Sequence, residues 1–244
     1  MNFSNTLIRA SSLGNIMTEP STKSAREAGE LSETAKKNLV EIYIAEKYSR
    51  YKEVQTKQMQ KGIEVENESI EMLSVYLNKN YKKNEERFTN EFVSGSPDII
   101  TEDSIIDIKS SYDLFSFLNN LSAKSLNSDY YWQLQAYMWL TNKRNGIVAY
   151  CLANTPEHIV QKEKYYLLNS MNVVSEESPE YIKESAKLEF NLTFDDIDLR
   201  DKILLFNVER NDDDIEKIKD KVEQSRNYLN LIEEKHLNFN KNVK

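Results

Sequence analysis

Pro97-Asp98 and, nine positions after that aspartate, Asp107-Ile108-Lys109 bring two carboxylates and an ammonium together. Gly95-Ser96-Pro97 has the composition of a tight turn that delivers Asp98 to the start of the apolar pair Ile99-Ile100. Over residues 104–109 the alternation of a strand sends Ile106 and Ile108 to one face and Ile105, Asp107 and Lys109 to the other. Carboxylate and carbonyl oxygens suit hard divalent cations, and a cation held by them can polarise a phosphodiester and activate water. A lysine beside it can orient or deprotonate that water, or offset the charge that develops on the phosphorane. Taken singly, each residue also fits a surface hairpin with an exposed Asp107–Lys109 pair. Three further segments supply the context that a short motif requires.

The first is residues 59–77, where Met59, Ile63, Ile70, Leu73 and Leu77 recur at helical spacing and predict one amphipathic helix. Glu66 interrupts that stripe, while Glu64, Glu68 and Glu71 fall on outer faces. A buried carboxylate without a partner costs several kcal/mol, so a glutamate on an apolar face needs a cation, whether a metal or a lysine. Gly62, one turn earlier, removes a side chain where another backbone or a substrate can approach.

The second is Tyr130-Tyr131-Trp132-Gln133-Leu134-Gln135-Ala136-Tyr137-Met138-Trp139-Leu140, which reads as a helix after a Ser128 or Asp129 cap. Gln133 and Tyr137 lie one turn apart on one face, where an amide and a phenol suit hydrogen bonding to a phosphate or a metal-bound water. Trp132, Met138 and Trp139 are assigned to packing. The third segment, Arg9-Ala10-Ser11-Ser12-Leu13-Gly14-Asn15-Ile16-Met17, looks like a capped helix start, whose free N–H groups serve either as an ordinary cap or as an anion site.

The ordered series Arg9-Ala10-Ser11-Ser12, Gly62-x-x-x-Glu66, Ser96-Pro97-Asp98, Asp107-x-Lys109 and Gln133-x-x-x-Tyr137 resembles the phage-type branch of the PD-(D/E)xK nuclease superfamily, the YqaJ-like viral recombinases that include lambda exonuclease. The resemblance covers about residues 9–150. It implies an α/β fold: a mixed central β-sheet flanked by helices, a restriction-endonuclease-like core with peripheral N- and C-terminal helices. It further implies that Glu66, Asp98, Asp107 and the Ile108 carbonyl hold one or two Mg²⁺ or Mn²⁺ ions, that Lys109 is the catalytic lysine and that Gln133 is the motif glutamine. Arg9, Ser11, Gln133 and Tyr137 are then the expected contacts to DNA phosphate, Ser11 standing where the family meets the terminal phosphate. Asp107 replaces the longer glutamate of lambda exonuclease, and Arg9 does not fall squarely on that family's phosphate-binding arginine. The activity implied is degradation of one strand of linear double-stranded DNA from its 5′ end, leaving a 3′ single strand for an annealing protein. A ring-shaped homo-oligomer enclosing the DNA is implied as well.

Composition sets the outer bounds. With 39% hydrophobic content in 244 residues, the chain supports one substantial core. One domain over residues 1–244 is expected, with the nuclease core at about 55–152, a helical arm at 18–54 and C-terminal strands and a helix at 153–244. Residues 21–51 are polar and helix-prone, an arm over the cleft. Strands are predicted at 87–94, 97–101, 104–110, 146–152, 161–168 and 202–208, and a last helix at 213–237 with Ile215, Ile218, Val222, Leu229 and Ile232 as its apolar stripe. A single cysteine, Cys151, is expected to be buried and implies a reducing, cytoplasmic setting; it also speaks against the iron–sulfur nucleases of the Cas4 and RecB type, which need several. No apolar run approaches the roughly 20 residues that span a bilayer, and His158 and His236 lack neighbours at zinc-ligand spacing. The formal charge of −8 runs against phosphate binding, which Lys and Arg mostly supply. Much of the acidity lies at Glu176-Glu177, Asp195-Asp196-Asp198 and Asp212-Asp213-Asp214, which leaves Lys82-Lys83, Arg87, Lys124 and Lys143-Arg144 as candidate DNA-facing cations. A DNA-end-binding or phage assembly module that has lost its chemistry is the competing class, and the intact Glu66, Asp98, Asp107 and Lys109 argue against it.

Overall fold

The apolar alternation of residues 104–110 becomes a central strand of a mixed sheet. The computed structural model describes residues 1–52, 56–122, 126–173 and 175–242, so Lys124 lies outside the described residues. The chain opens with β1 (Ile8–Arg9), a 3-10 turn (Ala10–Ser12), α1 (Leu13–Ile16), α2 (Lys23–Glu27) and α3 (Glu33–Tyr48). Helices α4 (Lys57–Glu64) and α5 (Glu66–Leu77) lead to β2 (Phe88–Thr89), β3 (Val93–Gly95), β4 (Ile99–Ile100) and β5 (Ser104–Ser110). Then come α6 (Leu114–Ser122), α7 (Ser128–Thr141), β6 (Asn145–Cys151), α8 (Glu157–Met171), α9 (Pro179–Phe190), β7 (Ile203–Glu209) and α10 (Asp212–Asn242).

The central sheet runs β4-β5-β6-β7, with β5 and β6 parallel and the outer pairs antiparallel. A parallel pair needs a crossover, and α6 and α7 provide it. A second, smaller sheet pairs β1 parallel and β2 antiparallel to β3. The central sheet is covered on both faces. Ile105, Val148 and Tyr150 belong to a core shared with Leu134 and Met138 of α7, Leu39 of α3 and Ile218 and Val222 of α10. Ile106, Ile108, Ala149 and Cys151 pack with Ile70 and Leu73 of α5. This is the two-faced reading of β5, and Cys151 is buried as expected.

Helix ends follow the composition. With glycine scarce, Ser49, Asn78, Asn142 and Asn172 end α3, α5, α7 and α8 at positive φ (51°, 50°, 54° and 55°), a conformation asparagine tolerates better than most residues. The α7 cap is Asn127, one residue before the expected cap, its side chain accepting from the Asp129 N–H. No helix among the described residues is long and apolar enough to cross a membrane.

Four expectations change. Residues 87–94 form a hairpin, because the Asn90 side chain accepts from the Phe92 and Val93 N–H groups and turns the chain. The helix predicted at 59–77 breaks at Val65 (φ −96°, ψ 8°), leaving Met59 and Ile63 exposed while Lys61 and Val65 are buried. Residues 161–168 lie inside α8, not in a strand: partly buried residues recur in pairs at 163/164 and 167/168 after Ile159-Val160, a helical period. Within 21–51, α3 buries Ala35, Leu39 and Tyr43 in contact with α1 and α10, so it is a core helix and not an arm.

Candidate active site

The antiparallel register of β4 and β5 pairs Ile99 with Ile106, which sets Asp98 across from Asp107. The Ile108 N–H donates to Asp98 Oδ2 at 2.6 Å and fixes that carboxylate over the strand pair. Burial, and then the charge of Asp107, push the Asp98 carboxyl up to about 7 against the opposing pull of the Ile108 N–H and Lys109. Asp107 itself is only 1% exposed. Its Oδ2 lies 2.7 Å from Lys109 Nζ, the one cation at ion-pair distance from it among the described residues.

Lys109 is held from three sides. Besides Asp107, its Nζ donates to Gln133 Oε1 at 3.2 Å and sits 4.6 Å from the centre of the Tyr130 ring. Burial alone would lower its pKa; Asp107 outweighs burial and holds the ammonium above its usual range. Gln133 uses its other end as well, donating through Nε2 to Tyr137 Oη at 2.8 Å and weakly to Asp107 Oδ1 at 3.4 Å. Burial raises the Tyr137 phenol well above its ordinary value, so it stays protonated. Gly95 makes room for that ring: a Cβ there would stand 2.5 Å from Tyr137 Cε1 and 3.0 Å from the Ala10 Cβ.

One open cavity of about 590 Å³ is lined by Ser11, Glu66, Asp98, Asp107, Ile108, Lys109, Tyr130 and Gln133, while the buried Tyr137, expected at the phosphate, is not part of its lining. Its outer wall is Gln58, Met59, Gly62 and Ile63 of α4, which explains why two large apolar side chains stay exposed. Space is open where a Gly62 side chain would project. Arg9 is not part of this cavity. It lines a neighbouring one of about 280 Å³ with Ser12 and with Asn38, Glu41 and Arg50 beyond. Neither Ser11 nor Ser12 spends its hydroxyl on capping the turn or α1. Of the surface cations, Lys83 pairs with Glu66 at 3.0 Å and Arg87 donates to Ser94 Oγ at 2.8 Å, whereas Lys143 and Arg144 are turned to the Glu102 carbonyl and Asp212.

Sequence reasoning did not single out Tyr130, and of the α4 wall it singled out only Gly62, as a point of close approach. Tyr130 stands three residues before Gln133, a spacing that shares a helix face, and that signal was available. The wall was hidden because Met59 and Ile63 read as core.

Among the described residues, no three His, Cys, Asp or Glu side chains are gathered tightly enough to hold a metal ion as they stand, with Glu66 drawn to Lys83. The donor set still fits a hard divalent cation. It is all oxygen, and it opposes two carboxylates that cannot both ionise cheaply without further positive charge beside them. The histidines lie elsewhere, His158 on Glu64 and His236 on Tyr43.

A mixed sheet whose β4–β5 pair carries two aspartates and a lysine, facing a glutamine on the crossover helix, defines a restriction-endonuclease-like core. Residues 5–144 match the YqaJ-like viral recombinase domain, and the chain belongs to that family. A phage-related exonuclease from Haemophilus somnus 129PT superposes with a TM-score of 0.74 at 29% identity, over 94% of this chain and 96% of that one. An alkaline exonuclease from Laribacter hongkongensis shares the fold at 13% identity and a TM-score of 0.65, over 99% and 96% of the two chains. Its complex with dAMP gives a TM-score of 0.64 at the same identity and coverage. No curated protein sequence matches the chain.

Proposed function

We propose that this protein is a phage-type exonuclease that hydrolyses phosphodiesters of linear double-stranded DNA with Mg²⁺ or Mn²⁺. One observation carries the reading: Glu66, Asp98, Asp107 and Lys109 share one open cavity, with Asp98 set across from the buried Asp107 and the lysine 2.7 Å from it. Membership of the YqaJ-like family and the likeness to exonucleases of known structure support it.

Glu66, Asp98, Asp107 and the Ile108 carbonyl are the groups that would hold one or two cations. When bound, such a cation polarises the scissile phosphate and lowers the pKa of water. The chain's own residues do the rest. Asp98, fixed by the Ile108 N–H, and Asp107, buried at the cavity floor, define where positive charge is wanted. Lys109 presents an ammonium, oriented by Asp107, Gln133 and the Tyr130 ring, to the oxygen on which charge accumulates as the bond breaks. Gln133 keeps that lysine aimed because Tyr137 occupies its amide N–H. Ser11, which lines the cavity, contacts phosphate there. Met59 and Ile63 give the strand an apolar surface against which bases can rest.

By family resemblance the enzyme cuts from the 5′ end, delivers a 3′ single strand to an annealing protein, and works as a ring-shaped homo-oligomer. The test uses a linear duplex labelled at either 5′ or 3′ termini, and a closed circle, each with Mg²⁺, with Mn²⁺ and with EDTA. Loss of linear duplex in the presence of metal, with early release of the 5′ label, is expected. Cleavage undiminished in EDTA refutes the metal-assisted chemistry, equal attack on the circle refutes exonuclease action, and early release of the 3′ label reverses the polarity.

A further inference from the structure

Glu66 Oε1 stands 3.0 Å from Lys83 Nζ. Lys83 belongs to the connection between α5 and β2, and that connection is tied to the motif it faces. The Asn84 N–H donates to the Asp98 carbonyl at 2.7 Å, and Asn84 Nδ2 donates to the Pro97 carbonyl at 2.9 Å and to the Glu86 carbonyl at 2.8 Å. Closer to α5, the Tyr81 N–H donates to Ser74 Oγ at 3.2 Å. The residue after Lys83 is thus bonded directly to Pro97-Asp98, so the segment that presents Lys83 to Glu66 is tied to the backbone that carries Asp98.

The two ammonium groups at this site are held differently. Lys109 is 22% exposed and has Asp107, Gln133 and Tyr130 around it. Lys83 is 45% exposed and, among the described residues, meets Glu66 alone. One is fixed and the other is free to leave. A pair as open as Lys83–Glu66 contributes little to folding, so its release costs little.

We infer that Lys83 is an exchangeable counter-ion: it neutralises Glu66 while no divalent cation is bound, and on cation binding it passes from the glutamate to a phosphate of the DNA strand. The inference rests on Glu66 being a metal ligand, as proposed above. The electrostatics favour the exchange. A divalent cation outcompetes a monovalent ammonium for Glu66, and the substrate arrives with the anion that the released ammonium then lacks. In a chain with a net charge of −8, the step moves a positive charge onto DNA when the metal site is loaded.

Two measurements on the full chain test it, with Lys83→Gln and Glu66→Gln beside the wild type. Titration calorimetry with Mn²⁺ on DNA-free protein reads the first half. Lys83→Gln should bind Mn²⁺ about two- to fivefold more tightly, the competing pair having been removed, and Glu66→Gln should bind it far more weakly. Fluorescence anisotropy of a short duplex in Ca²⁺ over a range of salt reads the second half. For Lys83→Gln the slope of log affinity against log salt should fall by about 0.9, one phosphate contact. Wild-type Mn²⁺ affinity in Glu66→Gln overturns the ligand assignment itself. Weakened binding in Glu66→Gln with no gain in Lys83→Gln overturns the counter-ion role alone, and an unchanged salt slope overturns the transfer to phosphate.

Discussion

Lys109→Met separates the charge of the lysine from its bulk, because methionine keeps an unbranched stem of similar reach. In the wild type the ammonium is the only positive group within ion-pair distance of Asp107 among the described residues, at 2.7 Å, and Asp107 is 1% exposed. Removing one partner of a fully buried pair costs about 3–5 kcal/mol. Lys109 is not fully buried, its side chain being 22% exposed, and its own desolvation is relieved by the change. The net loss in EDTA should then be about 2 kcal/mol, which for a chain of this length is roughly 5 °C in Tm. Catalysis should fall much further, by about two to four orders of magnitude, the usual range for a positioned proton-transfer or charge-stabilising group. Divalent cation should recover most of the Tm difference, since it replaces the missing charge beside Asp107, and should recover none of the turnover. Differential scanning fluorimetry with EDTA and with Mg²⁺, alongside release of nucleotides from a linear duplex, reads both quantities. Near wild-type turnover would refute the catalytic assignment of Lys109. An unchanged Tm in EDTA would refute its role as the counter-ion of Asp107.

Glu66→Gln should abolish nuclease activity while leaving the metal-free Tm unchanged or raised, because the Lys83 pair it removes is open to solvent; Glu64→Gln, whose carboxylate faces His158 outside the cavity, should stay active, and loss of activity in both would assign the effect to helix structure. Gly95→Ala should destabilise by about 1–3 kcal/mol and slow turnover, since the new methyl meets the Tyr137 ring at 2.5 Å and shifts the partner of Gln133; paired melting and rate measurements check it, and an unaffected rate would detach Tyr137 from the site. Lys61→Met should stabilise by about 1–4 kcal/mol at neutral pH. Lys61 is fully buried, and burial drops its pKa to about 7, below the unfolded value; between that point and the ordinary lysine range the unfolded state binds the extra proton, so wild-type stability rises with pH. The gap to Lys61→Met is therefore largest at and below pH 7 and closes toward about pH 10.5, which urea melts across that range would show or contradict.

The parts of the site that share one element were legible in the sequence. Strand alternation sent Ile106 and Ile108 to one face, which the structure packs against α5, and Asp107 and Lys109 to the other, and the strand has the predicted bounds. Helical spacing put Gln133 beside Tyr137, and the structure adds a 2.8 Å hydrogen bond between them. What failed depended on contacts between elements. No proline or glycine stands at Val65, so nothing local announced the break there. The break accompanies a tertiary bond: Lys61 is 0% exposed, donates to the Tyr112 carbonyl at 2.9 Å and lies 5.0 Å from the Phe194 ring. Pattern reading puts lysine outside and Met59 and Ile63 inside; α4 reverses both because its apolar side faces the cavity. In α8, the adjacent exposed Tyr165 and Tyr166 mimicked a β-rich run, and only the paired burial at 159/160, 163/164 and 167/168 reveals the helix. Pairs such as Lys83–Glu66 join residues whose separation in sequence carries no period at all.

The net charge of −8 opposes DNA binding only if the acidic groups face the DNA. Many of them are engaged where they stand. Asp212 is met by Arg144 and Arg210, and Asp214 by Lys217 and the Tyr131 hydroxyl. Glu233 is paired with Lys47, and Asp195 accepts from Asn154. Glu66, Asp98 and Asp107 remain, and they line the cavity in which cleavage is proposed. Lys109 and Lys83 already oppose two of these three, and bound cations would reverse the local sign. Asp98, the third, is also the one whose carboxyl is pushed toward neutrality by burial beside Asp107. The cavity is therefore close to electrically balanced without metal and positive with it. Attraction for phosphate that depends on loading of the site, and not on the net charge of the chain, follows from that balance.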